Sequence, residues 1–349
     1  MRRYRHLLVA AALLAFCLIV LGAYVRLSDA GLGCPDWPGC YGHLLGVPTA
    51  AHEQAAALQV FPGQPVEPHK AWKEMAHRYV AASLGLLIAL IALLAWRQRR
   101  ALGQSPALPT LLLTVVIAQA LLGRWTVTLL LKPLVVSAHL LGGMTTLALL
   151  VWLLLRQRDE VRAAPAEESR RLRIHAALAL LAVLVQTALG GWVSSNYAAL
   201  ACGDFPTCLG RWLPEMDFAH AFALRRELGY DADGALLSNA ALTAIHWSHR
   251  AGALIVTLIV GTLAWTLSHR PGWRRWGLLL ATALLLQLAL GIANVLLALP
   301  LPLAVAHNAG AALLLGVTVA VNFRLGQAAS PPDSAGSAPQ SAALLRQDG

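Results

Sequence analysis

Eight runs of about twenty predominantly apolar residues dominate this sequence of 349 residues. An α-helix needs about twenty such residues to cross the hydrocarbon core of a bilayer. Only 13% of the residues are charged and 58% are hydrophobic, whereas about a quarter of the residues in a soluble domain are charged. The sequence therefore predicts a polytopic membrane protein and excludes an ordinary soluble enzyme. The predicted spans are 7–25, 77–96, 107–130, 134–155, 174–194, 244–267, 276–297 and 302–323.

The second half of the chain repeats distinctive residues of the first half at a nearly constant distance. The shift is 168 residues for most of these positions and 172 residues for one histidine. Because a unit of four helices keeps its orientation in the membrane, the halves are predicted to be related by a pseudo-two-fold axis along the membrane normal. The pairs are Cys34/Cys202, Cys40/Cys208, Gln119/Gln287, Gly123/Gly291, His139/His307 and His77/His249.

The predicted fold class is an all-α membrane protein with eight transmembrane helices in two tandem, pseudo-two-fold related four-helix bundles. The halves are residues 1–155 and 174–325, joined by a charged linker at 156–173. Residues 326–349 are predicted to be a disordered tail, because they contain little apolar surface to bury. The first span resembles a signal peptide, but its end, LGAYV, recurs internally as LGGWV, which favours a retained helix.

The net charge of +10 is distributed as in a membrane protein rather than in a nucleic-acid-binding protein. Lys and Arg concentrate in cytoplasmic loops, and here they cluster at the N-terminus and at 97–100, 156–173 and 270–275. Both termini are therefore predicted to be cytoplasmic, with the long loops 26–76 and 195–243 outside. Since no Arg- and Ser-rich transit segment precedes the first span, the expected location is a bacterial inner membrane.

Four histidines lie at a similar outer depth of the predicted bundles. His77 and His249 lie at the outer ends of the second and sixth spans, and His139 and His307 lie about 9 Å below the outer ends of the fourth and eighth. Ionisable residues in membrane helices are costly and normally face a cavity, a cofactor or a partner. One such histidine alone is more often an interhelical hydrogen-bonding group. Two equivalent pairs indicate instead a ligand held between facing helices.

A haem suits these pairs better than zinc does. A structural zinc site uses four protein ligands, whereas each half offers two clear ones. Two imidazoles on opposite faces are sufficient for a haem, and the sequence lacks the C-x-x-C-H motif of covalent attachment. Glycines shortly after three of the histidines are expected to let a flat ring approach: Gly142, Gly143, Gly252 and Gly310. Three Gln-x-x-x-Gly pairs (119/123, 186/190 and 287/291) predict close helix packing with an interhelical hydrogen bond.

Glu74 precedes His77 by three residues, so the two side chains share one face of a helix. A carboxylate beside a metal-bound cofactor can accept a proton or stabilise developing positive charge. The alternative is an ion pair between Glu74 and Arg78. The second half keeps the arginine as Arg250 but has His246 in place of the carboxylate, which favours a difference in reactivity between the halves.

The cysteines of the predicted outer loops form two pairs with the same spacing, Cys34/Cys40 and Cys202/Cys208. On the oxidising side of the membrane each pair can form a disulfide that stiffens its loop. A redox-active pair that exchanges with another thiol protein is the alternative. Cys17, within the first span, is expected to be a small buried apolar residue.

Taken together, these features resemble the haem A synthase family. The resemblance rests on the two four-helix halves, the four outer histidines, the Glu-x-x-His-Arg motif at 74–78 and the paired loop cysteines, and it covers residues 7–323. It implies an enzyme that oxidises the C8 methyl group of haem O to a formyl group, giving haem A for cytochrome oxidase.

The resemblance also implies a role for each site residue. His249 and His307 are expected to bind a resident haem b, the implied cofactor. His77 and His139 are expected to bind the iron of the substrate haem, with Glu74 as the catalytic residue. Cys34–Cys40 corresponds to the loop disulfide of the family. The outer stretches 44–68 and 214–240 match no family pattern, so their role stays open.

Two other classes of protein stay open from the sequence. One is a two-haem, cytochrome b-like electron carrier, which would hold two unaltered haems b. The other is a transporter with parallel repeats. The implied partners are haem O, membrane lipid and, less directly, a haem O synthase and oxidase assembly factors. No nucleic acid is expected, and the oligomeric state, including a homo-oligomer, is left open.

Overall fold

The computed structural model describes residues 2–157 and 166–327, with side chains for all of these except 166–169. Residues 158–165 of the predicted linker and 328–349 of the predicted tail lie outside the described residues. Within the described residues the chain forms helices and turns, with isolated β-bridges but no β-strand. The predicted all-α fold class is confirmed.

Eight of the helices are long and apolar enough to cross a membrane, as predicted. They are α1 (Arg2–Leu27), α3 (Pro68–Arg97), α5 (Ala107–Thr128), α6 (Pro133–Leu155), α7 (Ala166–Ser195), α9 (Asn239–Ser268), α10 (Arg274–Leu296) and α11 (Leu301–Gln327). The connecting segments contain α2 (Ala51–Val60), α4 (Arg99–Leu102), a 3₁₀ turn (Ala198–Leu200) and α8 (Phe218–Ala221).

Four helices, α1, α3, α7 and α9, begin at least five residues earlier than the hydropathy pattern predicts. Helix α3 starts with Pro68, whose fixed backbone angle suits the first turn of a helix. Helix α9 is capped by the Ser238 side chain, which accepts a hydrogen bond from the N–H of Ala241. Helix α7 starts at Ala166, inside the predicted linker. The early start of α3 matters for the site, because the turns before the apolar run carry Glu74.

The membrane-crossing helices form two closed rings of four. In the first ring α1 contacts α3, α3 contacts α5, α5 contacts α6 and α6 contacts α1. Helices α7, α9, α10 and α11 contact one another in the same order in the second ring. The rings meet through α1 and α6 on one side and α7 and α11 on the other. This is the contact order that the predicted two-bundle arrangement requires.

Two hydrogen bonds between the rings join residues one repeat apart. Arg26 Nη2 donates to the main-chain oxygen of Ser194 at 2.9 Å, and the Tyr197 hydroxyl donates to Asp29 Oδ1 at 3.2 Å. Each pair is separated by 168 residues, which is the repeat distance. A residue can touch its own equivalent only near a two-fold axis. These contacts support the predicted axis, which itself stays a prediction.

The close-packed apolar core lies in the half of the rings away from the two long loops, residues 28–67 and 196–238. Leu8, Ile91, Leu150 and Leu267 are completely or almost completely buried there. The four histidines lie outside this core, in the parts of their helices nearer the long loops. Cys17 is exposed on the surface of α1, so the prediction that it is buried is wrong.

Candidate haem sites

Each of the four predicted ligand histidines packs its imidazole against a glycine of the neighbouring helix. A Cβ atom added to that glycine would lie 3.0–3.3 Å from Cε1 of the ring, closer than an ordinary contact. The ring can take its position because the neighbour has no side chain. The pairs are His77 on Gly22, His139 on Gly123, His249 on Gly190 and His307 on Gly291.

In the second ring, His249 on α9 and His307 on α11 face each other. Their ring centroids are 6.4 Å apart and the ring planes are inclined by 81°. Two imidazoles that bound one metal ion from opposite sides through bonds of about 2 Å would have centroids about 6 Å apart. His249 and His307 are half-buried within the bundle of α7, α9, α10 and α11. The pair therefore fits two axial ligands of one haem iron.

In the first ring, His77 on α3 and His139 on α6 are close enough for their imidazoles to interact electrostatically. The Nδ1 atoms of both are buried and have no hydrogen-bond partner among the described residues. Buried polar atoms without a partner are rare and call for an explanation such as an additional bound group. This second pair therefore also fits a ligand held between two helices.

Glutamines hold two of the histidines. Gln186 Nε2 donates to the main-chain oxygen of His249 at 2.8 Å and lies 3.0 Å from its Nδ1. Gln287 Nε2 lies 3.3 Å from Nε2 of His307. These contacts confirm the predicted interhelical hydrogen bond for two of the three Gln-x-x-x-Gly pairs, 186/190 and 287/291.

The glycines that follow the histidines have a different role from the predicted one. Gly252 is covered by the Gln186 side chain and Gly310 by the Gln287 side chain. Gln119 covers Gly142 in the same way. The prediction that these glycines let a flat ring approach is therefore wrong, because the space beside each is filled by an amide side chain.

Glu74 joins α3 to the first disulfide loop. Its side chain is only 5% exposed; Oε1 accepts from Arg78 Nη2 at 2.5 Å, and Oε2 accepts from the N–H of Cys34 at 2.9 Å. Arg78 also donates to the main-chain oxygens of Asp36 at 2.9 Å and Pro38 at 3.2 Å. The ion pair that the sequence left open is therefore present, and it fastens the loop to the helix that carries His77.

The second half fastens its loop in the same way with a different residue. The N–H of Cys202 donates to Nδ1 of His246 at 3.3 Å. Arg250 donates to the main-chain oxygens of Cys202, Asp204 and Thr207 at 2.7–2.8 Å. An imidazole thus replaces the carboxylate at this position. Fastening the loop does not by itself require the negative charge of Glu74.

Both predicted disulfides are present in the structure. Cys34 and Cys40 have Cα atoms 4.8 Å apart, and Cys202 and Cys208 have Cα atoms 4.7 Å apart. Across residues 2–157 and 166–327, no group of three or more His, Cys, Asp or Glu side chains is arranged to hold a metal ion. Within this part of the chain the histidine pairs, and not a protein-only metal cluster, are the candidate iron ligands.

Asp204 stabilises the second disulfide loop by accepting hydrogen bonds from residues of the same loop. It accepts from the Thr207 hydroxyl at 2.5 Å and from the N–H groups of Leu209 and Gly210 at 2.6 and 3.0 Å. These hydrogen bonds, the one from Thr207 first among them, lower the pKa of Asp204 from 3.8 to about 2. Asp36, 168 residues earlier, accepts two backbone N–H groups in the first loop.

Comparison with known proteins agrees with this architecture. Residues 5–319 match the family described as cytochrome oxidase assembly protein. Haem A synthase of Shewanella oneidensis is 44% identical over 307 residues, which cover 88% of this chain and 92% of the relative. The chain belongs to the haem A synthase family. More distant haem A synthases are 30% identical in Caulobacter vibrioides (91% of this chain, 94% of the relative) and 27% identical in Halalkalibacterium halodurans (87% and 92%).

In this haem A synthase family member the stretch 214–240 is anchored by a residue that the sequence analysis missed. Arg226 is 3% exposed, donates to Asn196 Oδ1 at 2.5 Å and lies over the Trp192 ring. The next residue, Glu227, forms an ion pair at 3.0 Å with Lys132 at the start of α6. The loop of the second half therefore reaches the first half. The stretch 44–68 contains α2.

The glycines beneath the imidazoles were also missed, although the sequence carries a signal for them. Gly123, Gly190 and Gly291 each follow a glutamine by four residues, and Gly22 lies in the LGAYV segment that matches LGGWV. The repeats were visible, but which histidine each glycine meets depends on how the helices are rotated in the rings.

Proposed function

We propose that this chain is a membrane-embedded haem A synthase, an oxidoreductase that oxidises the C8 methyl group of haem O to a formyl group. The observation that carries the proposal is the near-full-length similarity to haem A synthases. The two histidine pairs, each seated on glycines at the same depth of a four-helix ring, supply a physical site for haem handling. The haem A produced is the form that cytochrome oxidase requires.

His249 and His307 are proposed to hold a resident haem b. Support comes from the 6.4 Å separation of their ring centroids and from the glutamine contacts that fix both residues. When bound, the haem iron supplies one-electron redox chemistry. The chain contributes the two axial imidazoles and the slot between Gly190 and Gly291 that admits them.

His77 and His139 are proposed to bind the substrate haem O, with Glu74 as the catalytic residue. Glu74 lies one helical turn from His77 on the same face of α3. Oxidation of a methyl carbon passes through an electron-poor state, which a buried carboxylate stabilises electrostatically. Arg78 and the N–H of Cys34 hold the carboxylate in a fixed position, so little reorganisation is needed when charge develops.

The same reasoning extends to location and partners. The chain is a multi-pass membrane protein. We place it in a bacterial inner membrane, and the distribution of Lys and Arg supports an orientation with both termini in the cytoplasm. The histidine sites then lie near the outer face. A haem O synthase as donor and oxidase assembly factors as acceptors are the partners that this chemistry implies.

The proposal is tested by supplying haem O to the purified protein in detergent with an electron acceptor and identifying the products by mass spectrometry. We expect hydroxylated haem O and haem A from the unaltered protein and neither from the Glu74→Ala variant. A two-haem electron carrier would return haem O unchanged, and that result would overturn the proposal.

A further inference from the structure

Three of the four histidines share a supporting device, which we call the glutamine brace. It consists of a glutamine on the preceding helix of the ring and a glycine three residues after the histidine, over which the glutamine side chain lies. The three braces are Gln119 with Gly142 at His139, Gln186 with Gly252 at His249, and Gln287 with Gly310 at His307.

At His249 and His307 the glutamine side chain also contacts the histidine itself. Gln186 contacts Nδ1 and the main-chain oxygen of His249, and Gln287 contacts the ring of His307. The ring of His139 interacts with the main chain of Gln119. The braces at His249 and His307 therefore restrict the rotation of the imidazoles directly, whereas at His139 the amide fills the space over Gly142 and the main chain of the same glutamine meets the ring.

The brace is missing at His77. The corresponding positions are Leu18 and Val80, so neither the amide nor the glycine that seats it is present. Leu18 packs instead with the apolar core. The supporting glycine, Gly22, lies against the His77 ring as closely as in the other three cases. What distinguishes His77 is therefore the brace and not the packing of the ring.

We propose that His77 is the exchangeable iron ligand of this protein and that the missing brace is what makes it exchangeable. Hydrogen-bonding neighbours of a metal ligand fix its orientation, and their loss typically weakens metal binding about 10–100-fold. A resident haem needs two fixed ligands, which His249 and His307 provide. A substrate haem must enter the site and the product haem must leave it. This requires at least one histidine that can dissociate from the iron. This inference rests on the proposed assignment of the two halves.

The experiment follows haem loss, not turnover. Purified full-length protein in detergent is loaded with hemin, excess apomyoglobin is added, and haem transfer is followed in the Soret band. We expect a fast and a slow phase, with the fast phase absent from the His77→Ala variant. Installing a brace with the Leu18→Gln/Val80→Gly double variant should slow the fast phase about tenfold or more.

The reciprocal variant, Gln186→Leu/Gly252→Val, should accelerate the slow phase by a similar factor and leave the fast phase unchanged. A control on the helix of His77, Gly85→Ala, should leave both phases unchanged, because its new Cβ meets only Val116, at an ordinary distance of 3.8 Å.

Unchanged rates of haem transfer in both the Leu18→Gln/Val80→Gly variant, which installs the brace, and the reciprocal variant would overturn the inference. If the installed variant does not fold, the reciprocal variant decides alone, and an unchanged slow phase overturns the inference. Loss of the fast phase in His249→Ala rather than in His77→Ala would instead contradict the proposed assignment of the halves.

Discussion

At the scale of single residues, Glu74 has two proposed tasks, whereas its counterpart His246 has only the first of them. It fastens the first disulfide loop, as His246 fastens the second, and it adds a negative charge one helical turn from His77. The exchange of the two residues separates the tasks, because an imidazole at position 74 can still accept from the N–H of Cys34.

We predict that Glu74→His lowers the rate of haem A formation by about 100-fold or more, the cost of removing one well-placed electrostatic group. Its haem content and disulfides should stay intact. The matched control, His246→Glu, should keep most of the activity. The measurement is haem A formed per unit time, normalised to bound haem. Full activity in Glu74→His would show that the carboxylate only fastens the loop.

Asp204 gives a prediction about pH. Its pKa is lowered to about 2 in the folded protein, so its contribution to loop stability is complete above about pH 4 and is lost as the pH falls towards 2. We expect the Asp204→Asn variant to expose the Cys202–Cys208 disulfide to a phosphine reductant faster than the unaltered protein at pH 7. The ratio of the two rates, measured by mass spectrometry, should approach one near pH 2. A ratio of one at every pH would contradict this role.

At the scale of the helices, the haem sites depend on close approach between neighbours. A Cβ atom added to Gly291 on α10 would lie 3.0 Å from Cε1 of His307 on α11. In an ordinary helix an alanine is favoured over a glycine by about 1 kcal/mol. Here the added methyl group must displace the imidazole instead, so the same substitution has opposite effects at different positions.

We therefore predict that Gly291→Ala loses most of its bound haem, measured by the pyridine haemochrome spectrum. Gly316→Ala, on the helix of His307, is the control, because a Cβ there meets nothing within 4 Å. It should keep its haem and unfold at an equal or higher temperature. Equal haem content in the two variants would mean that the ring does not need this glycine.

The helices were predictable from the sequence to a greater degree than the contacts between them. Hydropathy and the repeat identify eight spans and the four histidines, because burial in lipid and duplication both leave direct marks on composition. The glutamine braces and the position of Arg226 were not predictable, since they depend on helix rotation and on a loop that reaches the other half. The contacts of Glu74 show the same limit. Its spacing to Arg78 predicted a possible ion pair, but it did not predict the hydrogen bond from the N–H of Cys34.

At the scale of the whole molecule, the two rings have the same helix order but differ around their histidines. Both histidines of the second ring have a glutamine brace, whereas in the first ring His77 lacks one. Contacts at the repeat distance, such as Arg26 with Ser194, join the rings, and the Lys132–Glu227 ion pair adds a link between the halves. In the proposed assignment, the difference in support around the histidines lets one half keep its haem and the other exchange it.

The proposed orientation predicts which loops a membrane-impermeant maleimide reaches in intact cells. In a Cys17→Ala background, Ala232→Cys in the long loop of the second half should react without permeabilisation. Ala101→Cys, at an exposed position in α4 on the opposite side, should react only after permeabilisation. The reverse pattern would place both termini outside.

The central claim is that the two histidine pairs have different haems, and the porphyrins carried by single variants test it most directly. Each variant is purified, and its extracted porphyrins are identified by mass spectrometry. His77→Ala is predicted to keep haem b and to lack haem O, its hydroxylated form and haem A, whereas His307→Ala is predicted to lose most of its haem b. Loss of haem b from His77→Ala with full retention in His307→Ala would contradict the account.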